Sequence, residues 1–150
     1  MSTLSVSIAE KLNLNGKDRG SVITKDISSI TETFHRIMDV KTSGTQTILE
    51  MDATEGNSAG GKLFSDNVKY LRITNLDGTN FVALTVQNDG TEEYMVKLEA
   101  GQSYVLFNSS LDANAAGDNS AAAGNLTAID NVLARANSAS CQVEVFAALE

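Results

Sequence analysis

KYLRITNLDGTNFVALTVQNDGTEEYMVKLEAGQSYVLF, residues Lys69 to Phe107, decides the fold. It holds four short apolar runs cut apart by Asp77-Gly78, Asp89-Gly90 and Ala100-Gly101, dipeptides that turn a chain because Gly and Asp tolerate conformations closed to most residues. Along Val68 to Leu76, Leu71 and Ile73 alternate with Tyr70 and Arg72. Along Asn80 to Val86, Val82, Leu84 and Val86 alternate with Phe81 and Ala83, and further on Tyr94, Val96 and Leu98 alternate with Met95 and Lys97. A period of two places one set of side chains on each face of a strand, so these runs predict strands with one buried face. Ser103 to Phe107 (SYVLF) is apolar almost throughout and predicts a central strand covered on both faces.

Toward the N-terminus, Leu4, Val6 and Ile8 alternate with Ser5 and Ser7, and Leu12 and Leu14 continue the pattern. Residues 4–8 therefore read as a half-buried strand or as an N-terminal arm that pairs with something. Asn15-Gly16 follows Leu14, the signal of a type I′ hairpin, with a return strand over Arg19 to Ile27 around Val22 and Ile23. Ser28 to Val40 fits a helix through Ile30, Phe34, Ile37 and Met38, or a strand through Ile30, Phe34, Met38 and Val40; Thr31 and Thr33 favour the strand. Thr45 to Asp52 is a strand whose core face is left open by adjacent Ile48 and Leu49, and Ala53 to Gly61 is a loop by composition.

Toward the C-terminus, Ser109 to Asn125 is poor in bulky apolar residues and reads as a long exposed loop carrying Leu111, Asp112 and Asp118. Leu126 to Ala136 allows a short helix or a strand. Cys141 to Leu149 alternates Cys141, Val143 and Val145 against Gln142 and Glu144 and is a strand. Strands at this spacing predict a single all-β domain over residues 1–150, an antiparallel sandwich of jelly-roll type, with residues 1–14 as an N-terminal arm.

Composition narrows the function classes. The 150 residues carry a formal net charge of −8 and a pI near 4.5. Such a chain repels phosphate, which disfavours nucleic acid and anionic membrane as partners. The N-terminus lacks the pattern of a signal peptide, and no apolar run has the length of a membrane span. The chain is therefore expected to fold in a reducing cytoplasm. The triplets at Asn108 and Asn125 that would accept a glycan are then chance.

No catalytic residue, cofactor or metal is expected. His35 and Cys141 form the one conceivable Cys/His pair, with no surrounding nucleophile motif. Cys141 reads as a core residue and His35 as a surface or interface histidine. Zinc would need more His and Cys than the chain has. For calcium, Asp77, Asp89, Asp112 and Asp118 lack the spacing of a binding loop, and turn formation accounts for the first two. Gly60-Gly61-Lys62-Leu63 is not a phosphate loop, and Glu92-Glu93 reads as a charged strand edge.

Three segments carry a family resemblance: YLRITNLDGTNFVALTVQN, MVKLEAGQSYVLFN and IDNVLARANSASCQVEVFAALE. They resemble virion structural proteins of tailed bacteriophages, with "RITNLD-TNYV" matched by Arg72 to Val82, "-L-AGE-FVL" by Leu98 to Leu106, and "I-A-AN-A-C-VEV" by Ile129 to Val145. Gln102 departs from the family's acidic residue. The resemblance spans about the C-terminal half of the chain and implies a β-sandwich on the virion, assembled in the host cytoplasm. It points to a capsid decoration (cement) protein that binds the major capsid protein or other virion proteins, often as a trimeric homo-oligomer. Neck, tail tube and tail tip are the alternative positions. A carbohydrate-binding module would need exposed aromatics, and the chain has no Trp and only Tyr70, Tyr94 and Tyr104. On this reading Leu4, Val6, Ile8, Leu12 and Leu14 form an intersubunit arm.

Overall fold

The computed structural model describes residues 2–52, 62–88, 93–108, 111–113 and 126–150. It is an all-β sandwich. The elements are β1 (Ser2–Ala9), β2 (Asn13–Leu14), β3 (Lys17–Asp18), β4 (Val22–Ile30), β5 (Glu32–Val40), β6 (Gln46–Asp52) and β7 (Leu63–Phe64). A 3-10 turn (Ser65–Asn67) precedes β8 (Val68–Asn75), β9 (Val82–Asn88), β10 (Glu93–Leu98), β11 (Ser103–Phe107), β12 (Asp112–Ala113), β13 (Thr127–Ala136) and β14 (Cys141–Leu149). Both segments that allowed a helix are strands. Asp89-Gly90 and most of residues 53–61 and 109–125 lie outside the described residues.

One sheet has the order β11-β8-β14-β5; the other runs β10-β9-β13-β6-β7, with β12 added to β13. Leaving out the short β7 and β12 and counting the remaining body strands from β5, the sheets read 1-8-3-6 and 2-7-4-5. The chain changes sheet at every step except the β9–β10 hairpin. That is the strand order of a jelly roll.

Alternation supplies the core between the sheets. Leu71, Ile73, Val143, Val145 and Ala147 face Val82, Leu84, Val86, Ile129 and Val132, all buried. Ile48 and Leu49, adjacent in sequence, are both buried because the β6–β13 pairing slips by a residue between Val132 and Leu133. A bulge of this kind lets two neighbours escape strict alternation. Among the described buried polar residues, Ser65, Asn75, Thr85 and Asn88, Asn75 is the one fully buried. Its amide nitrogen donates to the carbonyls of Asn80 (2.8 Å), Leu98 (3.2 Å) and Glu99 (3.2 Å), and its Oδ1 accepts from the Asp77 amide. One side chain thus ties the β8–β9 turn to the β10–β11 turn.

Two expectations are corrected. β11 is not central: it is the edge of its sheet. Its apolar run has another cause. Tyr104 and Leu106 pack on the main core, while Val105 and Phe107 belong to a second cluster on the outer face, around Ile30, Tyr70 and Ala148. Ile30 also leaves the set in which its spacing placed it. Phe34, Met38 and Val40 serve the main core, but Ile30 lies on the far side of the sheet because the chain breaks strand at Thr31.

Candidate functional site: a projecting hairpin arm

The second cluster is the root of an arm. β1 pairs antiparallel with β4, from Ser2↔Ile30 to Ala9↔Val22, and β2 pairs with β3 beyond them. The arm is therefore a closed hairpin over residues 2–30. It is not a lone strand over 2–14 awaiting a neighbour: β1 finds its partner within the chain, since alternation in Val22 to Ile27 answers that in Leu4 to Ile8. The tip is built as its sequence predicts. Asn15 and Gly16 have φ of 53° and 75°, the left-handed values a type I′ turn demands.

Behind the tip the strands are held by backbone bonds from Glu10 N–H to Ser21 O (2.8 Å) and Arg19 N–H to Leu12 O (2.7 Å). Ser21 Oγ donates to Glu10 Oε2 (2.7 Å), and Gly20 N–H to Asp18 Oδ1 (2.8 Å). Gly20 is fixed by space: a Cβ there would collide with the Glu10 carbonyl oxygen.

The hairpin has two unlike faces. Register places Leu4 opposite Ile27, Val6 opposite Lys25 and Ile8 opposite Ile23 on one face. Ser7 and Thr24 lie on the other, their hydroxyls 3.0 Å apart. The apolar face turns toward the body at its root, where Leu4, Val6 and Ile27 pack with Phe146, Phe107 and Val105. Further out no described element lies beneath it. Ile8 is 45% exposed, Leu12 and Leu14 54% and Ile23 62%. Of the residues named in the sequence as an arm, Leu4 and Val6 are thus anchors, and Ile8, Leu12 and Leu14 are free surface. Ile23 and Ile27 complete the stripe, while Val22, opposite Ala9, lies on the face of Ser7 and Thr24.

The arm meets the body over the outer face of the β11-β8-β14-β5 sheet. Grooves of about 410 Å³ (Lys25, Ile27, Lys69, Phe107, Asn108 and Glu150 among the lining) and about 260 Å³ (Leu4, Val6, Tyr70, Arg72, Phe146) run along the contact. The bend that lays the arm down is a bulge. Between Leu4↔Ile27 and Ser2↔Ile30, β4 has one residue more than β1, and Ser29 takes φ 63° there.

A polar chain crosses the same sheet face. His35 Nε2 and Glu144 Oε1 are 2.8 Å apart, the Arg72 guanidinium donates to Glu144 Oε2 (2.8 Å) and to Thr74 Oγ1 (2.6 Å), and Thr74 and Ser103 hydroxyls are 2.8 Å apart. The His35 hydrogen bond, with Arg72 beside it, holds the Glu144 carboxyl below its ordinary range. His35 also stands edge-on to Phe146, which stands edge-on to buried Tyr70. In this surface network the Thr74 hydroxyl meets Arg72 and Ser103, and His35 meets Glu144.

The remaining candidates stay apart. Cys141 is buried on the inner face of β14, burial raising its thiol pKa, while His35 is exposed on the outer face of β5. Asp77 Oδ1 accepts from the Thr79 and Asn80 amides (2.7 and 2.6 Å), which holds its carboxyl low and commits it to its own turn. Among the described residues no three His, Cys, Asp or Glu come together as a metal site. Tyr94 and Tyr104 hydroxyls meet at 2.8 Å, and both side chains are partly buried against the main core. Of the loop candidates, Asp112 is exposed in β12, Asp118 lies outside the described residues, and Leu111 is corrected: it is buried in the main core, its carbonyl accepting from Ile129 N–H. Compared with known proteins, the chain matches no family model, no curated sequence and no solved structure.

Proposed function

We propose that this protein is a structural assembly subunit, a capsid decoration protein of a tailed bacteriophage, that works by contact rather than by chemistry. Its hairpin arm is the element that grips a neighbour. One observation carries the reading: the distal arm exposes Ile8, Leu12, Leu14 and Ile23 along one face of a two-stranded ribbon that no other described element covers. A two-stranded ribbon is marginal in water by itself, and both its outer edges keep unpaired backbone groups. Such an element gains most when another surface covers it, by edge pairing and by burial of the stripe. The jelly-roll order supports the viral setting by analogy of fold, since capsid proteins use it widely. The bacteriophage setting itself comes from the resemblance carried by Arg72 to Val82, Leu98 to Leu106 and Ile129 to Val145. Many copies on a repeating shell bind tightly in sum even when each contact is weak.

The test is co-sedimentation with purified expanded capsids that lack this protein. The wild type is expected to saturate the capsid, and Ile8→Asp/Ile23→Asp, which alters exposed residues only, to stay in the supernatant with an unchanged circular dichroism spectrum. Equal binding by both proteins would remove the arm from the mechanism.

A further inference from the structure

The proposed function leaves open what the distal arm lies on. We infer that its seat is the open half of the β11-β8-β14-β5 sheet of a second copy of this chain, centred on Ile37; this rests on the arm being a contact element. Three observations lead there.

The first is continuity. The outer face of that sheet already accepts an arm: from Phe107 at the β11 edge to Phe146 it is covered by the chain's own arm root. Past Phe146 the same face continues to the β5 edge without cover, and there Ile37 stands 51% exposed, paired with Glu144. The distal stripe has the complementary gap. Ile8 and Ile23 continue the face that Leu4, Val6 and Ile27 press on the body, but beyond the reach of that body. Each molecule thus presents a stripe without a floor and a floor without a stripe.

The second is charge. The arm, residues 2–30, has four cations (Lys11, Lys17, Arg19, Lys25) and three anions (Glu10, Asp18, Asp26), a net +1. The rest of the chain is then −9 against the total of −8. Three of the four cations sit at the distal end, and Asp39 stands two residues from Ile37 on the same face of β5, where the neighbouring Glu144 is already held by Arg72 and His35. An arm that is mildly basic is drawn to a body this acidic, and the nearest such body on a shell is another copy.

The third is geometry. A contact between arm and sheet joins two different surfaces, so a pair joined once still has one arm and one seat to offer, and a pair that exchanges arms reciprocally is closed. Repetition closes a ring or extends a chain, according to the rotation per step.

The experiment uses the full-length protein. In sedimentation velocity over a wide concentration range, wild type is expected to gain mass with concentration. Ile8→Asp/Ile23→Asp and Ile37→Asp should each weaken association by about tenfold or more, as loss of a central apolar anchor does. Mixing the two variants restores one intact contact per pair and should give a dimer that grows no further. Cysteine pairing reads the same contact directly. Ile23→Cys mixed with Ile37→Cys should yield a disulfide-linked dimer on mild oxidation, and Ile23→Cys mixed with Met95→Cys should not; buried Cys141 adds no background. Met95, 67% exposed on the edge strand β10 of the other sheet, is the competing seat.

A wild type that stays monomeric, association of Ile37→Asp at wild-type strength, or crosslinking through Met95→Cys would each overturn the inference. Capsid binding by Ile37→Asp keeps the two readings apart. If it self-associates and binds capsids as wild type does, the arm remains a contact element and the seat is elsewhere. If the arm variant binds capsids as wild type does, the proposed function itself is lost.

Discussion

Asn75 shows how much one side chain can hold. Its amide nitrogen serves three carbonyls and its carbonyl caps the Asp77 amide, all from a side chain that is itself fully buried. Asn75→Ala strands those carbonyls and should cost about 3 kcal/mol in urea unfolding, with an unchanged m-value. Asn75→Asp is expected to do no better, since a carboxylate has no proton to give them. Glu144 links stability to pH. Its folded carboxyl titrates below the ordinary value of 4.5, so its contribution is whole above that value and is lost as pH falls through the lower, folded one. Glu144→Gln should therefore lose that contribution at neutral pH, flatten the acid limb of the stability curve and converge on wild type at low pH; an acid limb identical to wild type would show that the His35 and Arg72 contacts do not bind the carboxylate preferentially. Cys141, buried and with its thiol pKa raised, should react with a thiol reagent only at the rate of unfolding.

Among elements, the strands that were legible are those with one wet face and one dry face. The alternation in β8, β9, β10 and β14 gave their faces directly, because a strand against a single core records that core at every second residue. β11 misled for the opposite reason: its apolar run records two covers, and the second is the arm root rather than a neighbouring strand. The arm was half legible. Leu4, Val6 and Ile8 and the Asn15-Gly16 turn announce a hairpin, yet β4 reads weakly because Lys25 and Asp26 interrupt its stripe. Leu111 was hidden by the polar residues that follow it. Its single apolar side chain, which enters the core beside β13, makes no pattern. The arm should be mechanically separable from the core. Gly20→Ala, which forces a Cβ against the Glu10 carbonyl, should loosen the distal hairpin, seen as faster amide exchange at Glu10 and Arg19 with those of β8 and β14 unmoved. Leu71→Ala, in the core, should instead cost about 2–5 kcal/mol and unfold the whole at lower urea.

At the scale of the molecule, the jelly-roll order makes most strand pairs distant in sequence. β5, the first body strand, pairs along its full length with β14, the last, from Glu32↔Leu149 to Val40↔Cys141. Loops this long must close before those pairs form, so refolding is expected in milliseconds to seconds rather than microseconds, measured by stopped-flow fluorescence of the tyrosines. The same arrangement gathers the two ends of the described chain. Ser2 pairs with Ile30, and the next residue, Thr31, donates its N–H to Leu149 O at 2.9 Å. Both ends thus meet at the shoulder where the arm leaves the body, within about 15 Å of each other by strand spacing, while the Asn15-Gly16 tip is carried away from them. A short peptide bridging Glu150 to Ser2 would close the polypeptide into a circle without crossing a sheet. The circle could then be reopened at the Asp77-Gly78 turn to give a permuted chain with the same walls. A fluorophore or fused protein placed at either end would crowd the shoulder and leave the tip clear, so the two ends are interchangeable handles for watching what the tip touches.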